Sequence, residues 1–132
     1  MFGKKQTNGS ALRRKGHDLE RYVVKTLRDI YPHATTARRE SKTMDDCGVD
    51  VVNVPFLIQC KSGYESPRPK YERLFAYIEE RIKDLPMYKD VLSKYPVVVV
   101  HKLNKRASED ALTVLKYKDF LHLLTLINKN DA

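Results

Sequence analysis

Tryptophan is absent from this chain, and its 132 residues hold only two cysteines, five glycines and four histidines. Two cysteines cannot form the framework of a disulfide scaffold. A Cys47–Cys60 bridge is conceivable, but two free thiols in a reducing cytoplasm are the expectation. His17, His33, His101 and His122 are scattered, with no pair at ligand spacing, so no zinc site is expected. The few glycines build no phosphate-cradling loop, and no Ser-His-Asp arrangement is readable. A nucleotide-hydrolysing motor is thereby disfavoured. No apolar run approaches the roughly 20 residues of a membrane span. The start, Met1-Phe2-Gly3-Lys4-Lys5, lacks the apolar core of a signal peptide, so a cytoplasmic protein is expected.

Acidic residues are also in short supply, 17 against 25 Lys and Arg, for a net charge of +8. The shortage is local. Residues 1–42 carry 11 Lys/Arg against 4 Asp/Glu, whereas the other 90 carry 14 against 13. One end of the chain supplies almost the whole positive field, as a phosphate-tracking surface would. A solvated basic face would read the same from charge alone. Hydrophobic content of 42% with 32% charged residues describes a globular chain rather than a disordered one.

The densest chemistry lies in Cys47-Gly48-Val49-Asp50-Val51-Val52-Asn53-Val54-Pro55-Phe56-Leu57-Ile58-Gln59-Cys60-Lys61. Two short apolar strands flank a turn, and Asp50, Gln59 and Lys61 are their main polar interruptions. An antiparallel pairing centred between Val54 and Pro55 sets Asp50 opposite Gln59, where Cβ atoms lie about 4.5–5.5 Å apart. Lys61 shares the face of Gln59, because strand side chains alternate with period two. A carboxylate, an amide oxygen and an ammonium then converge, which suits a hard cation beside a phosphate. An aspartate inside Val-Asp-Val-Val is disfavoured in a strand and needs a reason. Asp45 and Asp46 precede the strand in a polar stretch and read as surface groups or as neighbours of the site.

This pattern resembles the PD-(D/E)XK nuclease superfamily, and within it the archaeal-type Holliday junction resolvases. Val49-Asp50 stands where the family has Pro-Asp, and Gln59-Cys60-Lys61 stands where it has Glu-x-Lys. Lys15-Gly16-His17-Asp18-Leu19-Glu20 looks like the Gly-x-x-x-Glu segment on the first helix of the resolvase branch. The resemblance spans residues 13 to 127. It departs from the family at Val49 and, more consequentially, at Gln59, which replaces an acidic ligand. The resemblance implies a catalytic set of Glu20, Asp50, Gln59 and Lys61. Glu20, Asp50, Gln59 and the Cys60 carbonyl would hold Mg²⁺, with Mn²⁺ as a substitute. It also implies a restriction-endonuclease-like mixed central sheet of about five strands flanked by helices. The implied activity is metal-dependent, structure-selective DNA cleavage. Its expected substrate is branched or four-way-junction DNA, cut by a homodimer because two coordinated cuts need two sites. Lys4, Lys5, Arg13, Arg14, Lys15, Arg38, Arg39 and Lys42 are the expected DNA contacts. A nickase or repair nuclease of the same fold is one alternative, and a non-catalytic DNA-binding module on a decayed nuclease fold is another.

The expected organisation is a flexible basic arm at residues 1–10 and one nuclease domain at 11–132. A first helix is expected from Ala11 or Gly16 to Tyr31, with Leu19, Tyr22, Val23, Leu27 and Ile30 as its buried stripe and Pro32 as its stop. A strand over Thr35–Glu40 and a polar loop over Ser41–Gly48 lead to the hairpin. A loop at Gly63–Pro69 precedes a helix over Lys70–Lys83, with Leu74, Ile78 and Ile82 along one face. Pro96–His101, a β-branched run without alternation, reads as a central strand buried on both faces. A further strand is expected over Ala111–Lys116. A final helix is expected over Tyr117–Ile127, with Phe120, Leu121, Leu124 and Ile127 turned to the core.

Overall fold

In the computed structural model, the backbone is described at residues 3–63, 70–88 and 90–131, and the side chains of these except 3–10, 12, 130 and 131. The order is α1 (Gly3–Leu27), β1 (Thr35–Thr36), α2 (Ala37–Glu40), α3 (Lys42–Asp46), β2 (Val51–Val52), β3 (Leu57–Ser62), α4 (Tyr71–Lys83), α5 (Val91–Lys94), β4 (Val97–Lys102), β5 (Leu112–Val114) and α6 (Tyr117–Asp131). The five strands form one mixed sheet in the order β1-β2-β3-β4-β5. Only β3 and β4 run parallel, joined through α4; the other neighbours are antiparallel. The molecule is therefore mixed α/β, a five-stranded sheet flanked by helices.

The hairpin keeps the expected register. Val51 pairs with Ile58, which one step further sets Asp50 against Gln59. Its turn is closed by Asn53 at φ 67°, a left-handed conformation that asparagine tolerates better than most residues. The Asn53 side-chain amide also donates to the His33 carbonyl, at 3.0 Å.

Side chains alternating along β3 and β4 build a core on each sheet face. Leu57, Val97 and Val99 pack with Cys47, Val49 and the Phe75, Ile78 and Ile82 stripe of α4. Ile58, Cys60 and Val98 pack with Val51 and with Leu19, Val23 and Val24 of α1. The four-valine run of β4 is central as expected, with Val97, Val98 and Val99 all buried. Cys47 and Cys60 belong to opposite faces and are both free.

Several expectations change. Helix α1 reaches back to Gly3, through the segment expected as an arm, and ends at Leu27 rather than Tyr31. Arg28 Nε instead donates to the Ala34 carbonyl at 2.8 Å, closing a turn, and Ile30 is left 67% exposed. The strand at Thr35 lasts two residues, because Ala37–Arg38–Arg39–Glu40 coil into α2. Thr36 ends the strand, and Ala37 N donates to the Asp50 carbonyl at 2.8 Å. The expected loop 41–48 contains α3, whose N-terminus is capped by Ser41 Oγ accepting from Met44 N at 3.2 Å. Of the loop expected at 63–69, only Gly63 lies within the described residues. Helix α6 departs most. It forms where expected, yet Phe120, Leu121, Leu124 and Ile127 are 44%, 46%, 43% and 57% exposed, not turned to the core.

Candidate functional site

Helix α1 carries Glu20 next to the buried Leu19, on the face that meets the sheet. Glu20 is 8% exposed. A carboxylate that far from water needs a partner, and Arg38 of α2 supplies it. Arg38 Nε and Nη2 both donate to Glu20 Oε1, at 3.3 and 3.2 Å. Only the helical turn at Ala37–Glu40 makes this geometry; a strand there would have sent Arg38 elsewhere. Arg38 was expected on the DNA track and is here bonded to a site carboxylate.

Asp50 enters at the last residue before β2. Its main-chain N–H donates to the Ile58 carbonyl at 2.7 Å, and its Oδ2 accepts from Cys60 N at 2.8 Å. The carboxylate thus satisfies an amide of the central strand β3, which is the reason for an aspartate amid valines. Burial dominates its titration and pushes the pKa up to about 7, with the neighbouring Glu20 charge adding to the rise. The Cys60 amide and Lys61 pull the other way, and Asp45 raises it further. Glu20, Lys61 and Asp45 therefore each lie close enough to Asp50 for their charges to act on it. Burial, with Asp50 and Glu20, also holds the Cys60 thiol well above its ordinary pKa, so it stays protonated. The sulfur offers no ligand; only the main chain of Cys60 belongs to the site.

Gln59 is 8% exposed. Its Nε2 donates to the Gly48 carbonyl at 3.1 Å, which leaves Oε1 pointing away, buried and without a hydrogen-bond partner. The amide cannot be reversed without facing two oxygens together, so the orphan is the oxygen. A buried acceptor left unmatched costs about 1–3 kcal/mol, and a bound cation is one way to match it. Gly48 is required where it stands. At φ +87° any side chain is strained, and a Cβ would lie 3.0 Å from the Tyr77 ring and 3.2 Å from Gln59 Nε2. Gly16, in contrast, has nothing within 4 Å of a Cβ, so the glycine of the Gly-x-x-x-Glu resemblance has no packing task here.

Lys61 sits one step beyond the Asp50–Cys60 contact, beside His101 in the parallel register of β3 and β4. His101 is fully buried. Its Nε2 lies 2.7 Å from the Gly63 carbonyl and must carry the proton there, so in the neutral ring Nδ1 accepts from Tyr71 Oη at 2.8 Å. That pair fixes the backbone just after Lys61. Ser62 Oγ donates to the Lys15 carbonyl at 3.3 Å, which ties the end of β3 to α1.

Among the described residues, no three His, Cys, Asp or Glu side chains cluster as a metal-holding group. Of the expected oxygen donors, the Asp50 and Glu20 carboxylates lie close enough for one charge to act on the other, and the Gln59 oxygen is without a partner. An oxygen-only set suits a hard cation such as Mg²⁺, which keeps several of its waters on one or two carboxylates. Asp50 fits in a second way, because a cation would stabilise the ionised form that burial penalises.

Of the expected DNA contacts, Arg13, Arg14, Lys15 and Arg39 are exposed. Lys42 is exposed and 3.6 Å from Asp46. The side chains of Lys4 and Lys5 lie outside the described residues. Sequence reasoning did not foresee the Arg38–Glu20 pair, the Gly48–Gln59 bond or the Tyr71–His101–Gly63 link. Gly48 at a strand entrance was the one available signal. Comparison with protein-family models, with curated proteins and with solved structures finds no match.

Proposed function

We propose that this chain is a metal-dependent DNA endonuclease, and that its substrate is a branched structure such as a four-way junction. The observation that carries the reading is Asp50: a partly buried carboxylate bonded to the central strand, flanked by Glu20 and Lys61, opposite an amide with an unmatched oxygen. Such an arrangement is costly for stability alone and useful for a cation beside a phosphate. Asp50 and Glu20 would hold the cation, with Gln59 Oε1 and the Cys60 carbonyl as neutral donors. When bound, the cation supplies charge neutralisation at the scissile phosphate and makes water a better nucleophile.

The chain's own residues do the rest. Arg38 orients Glu20 through its two bonds to Oε1. The Cys60 amide fixes one Asp50 oxygen and leaves the other to accept a ligand. Lys61, a compact cation with three donors, orients the attacking water or the phosphate oxygens as the phosphorus–oxygen bond to the leaving group breaks. The exposed cations of α1 and α2 track the phosphate backbone. The branch preference rests on the resemblance to junction resolvases carried by the Gly16–Glu20 segment of α1.

The test is Mg²⁺-dependent cleavage of a four-way junction and of linear duplex by the parent, Asp50→Asn and Lys61→Ala proteins. The expected result is junction cleavage by the parent and a loss of at least about 10³-fold in either variant, with junction binding retained. A parent that binds the junction but never cuts it would leave a DNA-binding module. Equal cutting of duplex and junction would leave a nuclease of a different substrate.

A further inference from the structure

The third helix packed near the sheet, α6, is unlike the other two. Helices α1 and α4 each bury a stripe of three apolar residues at 6% exposure or less, whereas no described side chain of α6 is buried. Yet α6 is the more apolar helix, reading Tyr117-Lys-Asp-Phe-Leu-His-Leu-Leu-Thr-Leu-Ile-Asn-Lys-Asn-Asp131. Tyr117, Phe120, Leu124 and Ile127 follow one another at three-four-three spacing, the repeat of a helix–helix seam. All four are exposed, at 71%, 44%, 43% and 57%, and Leu121 and Leu126 widen the stripe at 46% and 43%. Between α6 and α1 lies a hollow of about 370 Å³ over the β4–β5 end of the sheet, walled by Val23, Leu27, Val98, Val100, Leu115 and Phe120. Exposed apolar side chains gathered along one helix, unlike ones scattered singly, mark an interaction site.

We infer that the α6 seam and the adjoining hollow form a two-fold interface with a second copy of this chain, each α6 lying along its counterpart and over the partner's hollow. Charge argues for a second copy over another protein. Helix α6 carries two Lys and two Asp and is neutral, in a chain of net charge +8. Two strongly basic copies repel least where their surfaces carry no net charge, and α6 is such a surface; an acidic partner would instead be drawn to the basic segment 1–42. Area decides the mode. One side of a helix about 22 Å long and 10–12 Å wide presents on the order of 400 Å², so two helices alone bury roughly 800 Å² in total. Stable interfaces need roughly 1,200–2,000 Å², and seating each helix against the partner's hollow supplies the difference. The interface lies on the α1 side of the sheet at its β5 end, away from Asp50 at the β2 end. Two sites are thus carried on one particle with both basic segments free. The need for that second site rests on the nuclease reading; the interface itself does not.

Sedimentation or light scattering of the full chain without DNA tests it. The parent should run at twice 15.4 kDa at micromolar concentration. Leu124→Glu/Ile127→Glu should weaken the dimer at least 100-fold. Both positions are exposed, so helix content and melting measured in dilute, monomeric solution should match the parent. Met87→Glu, at an 87% exposed position elsewhere, should leave the dimer intact. A parent that is monomeric throughout, or a dimer that survives the double substitution, overturns the inference. A dimer held by α6 in a protein that cuts no junction would instead sink the nuclease reading and spare the interface.

Discussion

Among the described carboxylates, Asp50 is the one that burial moves clearly from its ordinary pKa. Asp50 is held by its side chain to an amide of β3 and pushed to a pKa of about 7 by burial, against 3.8 in the open chain. A folded-state pKa above the unfolded one means the native state binds the proton more tightly. The metal-free protein therefore keeps the full benefit of a neutral Asp50 below about pH 4 and loses it as pH rises through 7. A gap of that size corresponds to at most about 4 kcal/mol at ~1.4 kcal/mol per pH unit. Asparagine can accept the same Cys60 bond without ionising. Asp50→Asn should accordingly match the parent near pH 4 and exceed it in stability at pH 8, by up to that amount, in chelator. Urea titrations at the two pH values measure the difference, and a gap independent of pH would show that Asp50 does not titrate near neutrality. At this scale the sequence exposed Asp50, because an aspartate among valines is anomalous. It hid Arg38, because nothing marks which of many basic residues will reach a glutamate 18 positions away.

Elements reveal how local spacing and tertiary contact divide the work. The β4 valines and Ile78 and Ile82 of α4 follow from periodicity alone, whereas Phe75 takes the buried place expected for Leu74, which is only partly buried. The short helices α2 and α3 do not, since segments of four and five residues with one apolar residue each carry no period to read. Helix α1 offers a prediction of its own. Gly16 lies inside it with open space at its Cβ position, and glycine in a helix interior costs about 0.8–1 kcal/mol relative to alanine. Gly16→Ala should raise stability by roughly 0.5–1 kcal/mol in chemical denaturation. A more stable variant with weakened junction binding would mean the glycine is kept for close approach of a phosphate. A less stable variant would show that the helix needs a bare backbone there.

Across the whole molecule, positive charge is segregated from the apolar α6 surface. Arg13, Arg14, Lys15 and Arg39 are exposed, whereas Arg38 is engaged by Glu20. Junction affinity should therefore fall with salt, and alanine at those four positions should flatten the log–log slope by about 0.9 for each phosphate no longer neutralised. Lys118→Ala and Lys129→Ala, on neutral α6, should leave the slope unchanged. Fluorescence anisotropy across a salt series reads both. Equal slopes for the parent and the four-alanine protein would move the DNA path off α1 and α2.

What the sequence determined by itself is what depends on neighbours along the chain. It settled the α/β order, the central valine strand and the hairpin register that sets Asp50 against Gln59. Period-two and period-3.6 patterns are local, and a hairpin's register follows from where its turn lies. Tertiary structure alone decided that Arg38 serves Glu20 and that Gly48 claims the Gln59 amide nitrogen and strands its oxygen. It alone turned an apolar helix outward. Amphipathic spacing states that α6 has a face to cover, but what covers it depends on the space left on the sheet, and one chain's helices leave that face open.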